Sequence, residues 1–116
     1  MTIKELTDDY KYSDNVVSVV HERIGRLMDS MTKEAMDKVG FRGNVGSLGP
    51  LMLEFENDVW DSVLDEFWGI IDYAEVADID EAIDLIDHTT LTDDYRRKYV
   101  EAAACVLKAQ KFINEN

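Results

Sequence analysis

From Val16 onward the apolar residues return every three or four positions, as Val16, Val20, Ile24, Leu27, Met31 and Ala35. That spacing lines one face of a helix, where side chains repeat about every 3.6 residues, and no face of a strand, where they repeat every second residue. The other faces of this segment carry both signs of charge. Glu22–Arg26, Asp29–Lys33 and Glu34–Lys38 stand four residues apart, where side chains neighbour on a helix. A long amphipathic helix is therefore expected from about Asp14 to a glycine cap at Gly40, with Thr32 offering a point where it could break and restart.

The same period returns twice more. Pro50 suits the first position of a second long helix reaching about Ala74. Another begins after Thr92 and runs through Tyr95, Tyr99, Ala103, Val106, Phe112 and Ile113. Between them Asp78 and Glu81 have capping-box spacing ahead of a short helix carrying Ala82, Ile83, Leu85 and Ile86. Strand-type alternation is absent. The expected class is all-α: a small helical bundle of three long helices and one short helix, folded as a single domain over residues 1–116. Residues 1–12 read as a polar N-terminal arm, with one helical turn suggested by the Thr2–Glu5 spacing. Residues 40–49, with Gly40, Gly43, Gly46 and Gly49, read as a Gly-rich loop. That loop follows a helix and lacks the Lys-Ser/Thr of a phosphate-cradling P-loop, so it is expected to be a connection.

Charge is distributed much less evenly than hydrophobicity. The formal net charge is −13, yet the 53 residues between Arg42 and Arg96 hold no Lys or Arg and contain 15 of the 25 acidic residues. The rest of the chain sums to +2, so a −15 segment is set into a near-neutral scaffold. This balance disfavours direct binding to nucleic acid or to an anionic membrane. It favours a basic protein as partner, and the field would steer that partner's approach. Cys105 is the only cysteine, which excludes an intrachain disulfide, and no apolar run reaches membrane-spanning length. A cytoplasmic setting, in a cell or an infected host, is expected.

Projecting the second long helix at about 100° per residue separates two faces. Met52, Val59, Trp60, Val63, Phe67 and Ile71 lie on a broad apolar arc, which Leu53, Leu64, Ile70 and Ala74 extend. Opposite, Glu54, Asp58, Asp61, Asp65 and Asp72 fall within about 60° of one another, with neighbours roughly 5 to 10 Å apart along the axis. DNA also presents closely spaced charge, about one phosphate per 1.7 Å of axis over both strands. Such a stripe is often no more than a solvated face. Here the first helix interleaves its charges and this one does not. Trp68 projects among the carboxylates, where an interface anchor would sit, unless a neighbouring helix or subunit covers it. Phe55 and Tyr73 also lie off the arc, so coverage of both flanks by a homodimer is an alternative.

Other constellations are weaker. Asp84, Asp87 and His88 could approach a divalent ion, but no DxDxDG loop or ExxH pair accompanies them, and His88 fits better as a helix C-terminal base near the dipole. His21 has no evident partner. Cys105, within EAAACVLKA, lacks an identifiable base and is expected in the core, with Ala102, Ala103 and Ala104 allowing close helix approach. No catalytic residue, metal site or cofactor is expected.

The physical profile resembles that of small acidic helical inhibitors, a resemblance of kind without a shared motif. These are phage antirestriction or anti-CRISPR proteins that mimic DNA charge, and toxin immunity proteins. The resulting expectation is a non-enzymatic acidic binding protein that inhibits a basic nucleic-acid-binding protein or nuclease. Glu54, Asp58, Asp61, Asp65 and Asp72 would replace phosphates, with Trp68 as anchor. The alternatives are an immunity protein or antitoxin for one basic toxin, and a metal-dependent enzyme using the acidic cluster.

Overall fold

The computed structural model describes residues 1–8, 13–42, 48–89 and 92–115. Among these the chain is all-α, with helices α1 (Ile3–Asp8), α2 (Ser13–Val39), α3 (Pro50–Ile71), α4 (Ile79–His88) and α5 (Asp93–Glu115). The count among the described residues is five rather than four, because residues 1–8 are not a free polar arm. The Thr2 hydroxyl accepts from the Glu5 N–H at 3.2 Å, and the Glu5 carboxylate accepts from the Thr2 N–H at 3.2 Å, closing the capping box. Ile3 and Leu6, one helical turn apart, are fully buried. Two apolar side chains at the right spacing suffice to dock a segment that is polar by composition.

Contacts sort the chain into two compact units, Met1–Arg26 with Ser62–Thr90, and Leu27–Asp61 with Leu91–Asn116. Helices α2 and α3 contribute to both. In the first unit, the backbone of residues 1–4 pairs with residues 72–76. The Ile3 N–H donates to the Ala74 carbonyl, the Lys4 N–H to Asp72, and the Val76 N–H to Met1, at 3.1, 2.8 and 2.7 Å. Val20, Ile24, Val63, Phe67, Ile71 and Ile86 of the same unit are buried. In the second unit Met31, Ala35, Met52, Val100, Ala103 and Leu107 form the interior. Full burial of the Val, Leu, Ile, Phe and Met side chains among these contributes on the order of 1.5 to 3 kcal/mol each.

Helix α2 does not break at Thr32. Thr32 is 3% exposed and its hydroxyl is engaged by other helices, so it never turns back to cap its own backbone. The helix ends at Gly40, whose φ of 69° lies in the left-handed region. There the Phe41 N–H returns to the Met36 carbonyl at 2.9 Å, a Schellman closure. The Gly-rich loop of residues 40–49 lies partly outside the described residues, which resume at Leu48.

At the start of α3 the Gly49 carbonyl accepts from Met52 and Leu53, both at 3.1 Å, and Pro50 has no N–H to satisfy. The next donor, the Leu51 N–H, finds the buried side chain of Gln110 at 3.0 Å. Asp78 caps α4 as its spacing implies, accepting from the Glu81 N–H at 2.9 Å. Thr92 caps α5 through the Tyr95 N–H at 3.3 Å.

The covered side of α3 winds along its length. Inward positions are Met52, Glu56, Val63, Phe67 and Ile71, an average step longer than the 3.6-residue turn, so the buried strip drifts by about 100° from one end to the other. Leu53 and Ile70, both expected on the apolar arc, are consequently exposed.

Candidate functional site

The helical projection places the carboxylates as expected. Glu54, Asp58 and Asp61 are exposed on the part of α3 belonging to the second unit, and Asp65 is exposed on the part belonging to the first. Two sequence features hold them there. The apolar residues on the opposite side fix the helix's rotation, and no cation within reach along the helix turns the carboxylates aside.

Whether cations arrive from elsewhere decides how much of the field survives. Among the described residues of the −15 segment, Glu75 pairs with the N-terminal ammonium at 2.9 Å and Asp94 is paired twice. Asp94 accepts from Arg97 at 2.6 Å and pairs with Lys98 at 3.1 Å, and both hold its carboxyl below the usual range. Among the described residues, no ion pair reaches Glu54, Asp61 or Asp65. Glu54, Asp61 and Asp65 thus carry exposed carboxylates to which no described ion pair is made, whereas Asp94 is paired.

Asp72 and Trp68 differ from the other four. Asp72 lies one residue past the end of α3, in the turn whose carbonyl receives the Lys4 N–H, and is half-buried. Desolvation raises its carboxyl pKa above the ordinary value. The charge of Lys4 works against that shift and Asp8 adds to it. Asp72 thus belongs to the turn that docks α1 as much as to the stripe. Trp68 is half-buried, neither core nor free-standing. Of the other off-arc aromatics, Phe55 is half-buried with its ring 5.5 Å from that of Tyr99. Tyr73 is 73% exposed, with the Lys4 ammonium 5.8 Å from its ring.

Sequence reasoning missed a polar network inside the second unit. The Thr32 hydroxyl donates to Glu56 Oε1 at 3.0 Å and lies 3.0 Å from the Tyr99 hydroxyl. Because Thr32 has a single proton, directed at Glu56, the Tyr99 O–H is the donor to Thr32. Burial raises the Glu56 pKa above its usual value despite the Thr32 bond, and raises that of Tyr99 to about 12. The signal was available, since Glu56 projects into the apolar arc between Met52 and Trp60. A carboxylate there must find a donor.

Two further expectations are corrected. Cys105 is exposed rather than in the core, and Phe112 and Ile113 are 68% and 55% exposed. The inward positions of α5 are Tyr99, Val100, Ala103, Leu107 and Gln110, a three–four step that leaves Cys105 about 200° away from Ala103. Of the three alanines only Ala103 is buried; Ala102 is exposed and Ala104 half-buried. His88 turns its ring back onto its own helix, Nδ1 donating to the Asp84 carbonyl at 2.6 Å. Among the described residues, no three His, Cys, Asp or Glu side chains gather as metal ligands, and no helix is long and apolar enough to cross a membrane. No protein-family model, curated protein or solved structure matches the chain.

Proposed function

We propose that this chain is a non-enzymatic binding protein that occupies the basic, nucleic-acid-binding cleft of another protein. Glu54, Asp58, Asp61 and Asp65 stand in for phosphates, Asp72 extends the line at a partly desolvated position, and Trp68 provides the apolar contact. The observation that carries this reading is the exposed carboxylate stripe left without described ion pairs at Glu54, Asp61 and Asp65, in a chain whose α2 interleaves its charges. Holding like charges together costs stability, and a basic partner recovers that cost on binding.

The test is affinity capture from a host lysate at about 50 and 300 mM salt, using the wild-type chain and the Asp58→Lys/Asp61→Lys/Asp65→Lys variant. The expected result is a basic nucleic-acid-binding partner, retained at low salt, released at high salt and lost with the variant, because surface charge pairs are screened within about 10 Å at 0.1 M. Recovery of neutral or acidic partners, indifferent to charge reversal, overturns the reading.

A further inference from the structure

Helix α3 carries a glycine for which its own unit gives no reason. Gly69 keeps a helical φ, since among the described residues only Gly40 has a positive one. A Cβ at Gly69 would meet no described atom within 4 Å, whereas one at Gly49 would strike Gln110 at 1.9 Å. Neither conformation nor packing among the described residues calls for glycine here, and glycine weakens a helix relative to alanine. Gly25 shares the open space, but it is half-buried, with His21, Glu22 and Asp29 a turn away and no exposed apolar side chain there.

Around Gly69 the surface is different. Tyr73 and Ile70 are both more than half exposed. Asp65 and Glu66, one turn earlier, are exposed, and Trp68 and Asp72 are half-buried. Helix α3 ends at Ile71 with no basic residue in its last turn. The Asp72 N–H donates to the Trp68 carbonyl at 2.8 Å and the Ala74 N–H to that of Ile71 at 3.1 Å. Among the described residues, no backbone N–H reaches the carbonyls of Gly69 and Ile70. They lie at the negative end of the helix, where a cation is favoured. The chain already brings one cation to this end, the Lys4 ammonium 5.8 Å from the Tyr73 ring.

We propose that this surface of α3 receives an arginine side chain of the basic partner, an inference that rests on the binding role given to the acidic stripe. Asp65, Glu66 and Asp72 select a cation. The missing Cβ lets a flat group lie against the main chain beside the two open carbonyls. A guanidinium holds five N–H donors in one plane, enough to serve those carbonyls and a carboxylate together. Its faces also stack on aromatic rings such as that of Tyr73. An ammonium has three donors on a flexible stem and no face to stack, so arginine is favoured over lysine at equal charge. Gly69 follows Asp65 by four residues, so the contact extends the stripe rather than competing with it.

Fluorescence polarisation with dye-labelled octa-arginine and octa-lysine peptides, at about 150 mM salt, is the test. The wild-type chain is expected to bind octa-arginine about tenfold more tightly than octa-lysine. Gly69→Leu, which covers the bare main chain, and Tyr73→Ala each bring the two affinities within about twofold by weakening the arginine peptide alone. Glu54→Lys/Asp58→Lys lowers both affinities and keeps their ratio. Leucine is a better helix former than glycine, so the Tm of Gly69→Leu stays at or above wild type and a lost preference is not a lost fold. Equal affinities in the wild-type chain, or a preference that survives both Gly69→Leu and Tyr73→Ala, overturns the proposal and leaves the stripe standing. Affinities that Glu54→Lys/Asp58→Lys leaves untouched overturn the reading of the stripe, and this proposal with it.

Discussion

Replacing Thr32 with valine keeps the shape of the side chain and removes one hydroxyl that serves two partners. At 3% exposure the Thr32 hydroxyl is buried, and of its two partners Tyr99 is buried and Glu56 half-buried. Glu56 loses its donor at 3.0 Å, and the Tyr99 hydroxyl loses its acceptor at the same distance. A hydrogen bond to a charged group contributes about 1.5 to 3 kcal/mol and a neutral one about 1 kcal/mol, so the combined loss is about 3 kcal/mol. For a chain of 116 residues the unfolding entropy is about 0.24 kcal/mol per kelvin, which converts that loss to a fall in Tm of about 12 °C. The assay is a thermal melt by circular dichroism at pH 7, on Thr32→Val, Tyr99→Phe and the double variant. Tyr99→Phe alone is expected to lower Tm by about 4 °C. In the Thr32→Val background the same change is expected to raise Tm, because it removes a hydroxyl already stranded. If Thr32→Val melts within 3 °C of wild type, or the two changes add, the network does not stabilise the fold as described.

The Glu56 carboxyl also sets a pH dependence. Its folded pKa is raised, mainly by burial, so the folded state holds this proton more tightly and the site's contribution to stability falls as pH rises through the raised value. Glu56→Gln, a neutral stand-in, is therefore expected to gain Tm relative to wild type between pH 4.5 and pH 7 in parallel melts. Gly49→Ala places a Cβ 1.9 Å from the Gln110 side chain, which is buried and holds the Leu51 N–H. A loss of about 2 kcal/mol in urea unfolding is expected, and a neutral result would place Gln110 elsewhere. Phe67→Ala empties a fully buried site and is expected to lose about 4 kcal/mol in the same measurement.

Helix class, the Asp78 cap, the start of α5 after Thr92 and the Pro50 start were legible because each rests on interactions within a few residues. The interleaved charges of α2 and the carboxylate stripe of α3 were legible for the same reason. What could not be read depends on which side of a helix another element covers. Leu53 and Ile70 look like core in a projection of an ideal helix, but the buried strip winds past them. Cys105 sits in an alanine-rich run that suggests close packing, yet falls two residues beyond the inward position at Ala103. In the site, Asp72 reads as one more carboxylate, and only the docking of α1 reveals Lys4 beside it. Glu56 was hidden by its own neighbourhood, since a count of acids does not distinguish the one that faces inward.

The pairing of residues 1–4 with residues 72–76 also has a consequence for how the chain is assembled. A helix of six residues is too short to nucleate alone in water, so α1 has no stability until the turn after α3 is in place to receive it. Closing that contact joins segments separated by most of the sequence, with an entropy cost that local helices never meet. The chain's opening residues are therefore among the last to find their place in folding, and the burial of Ile3 and Leu6 is the step that seals the first unit.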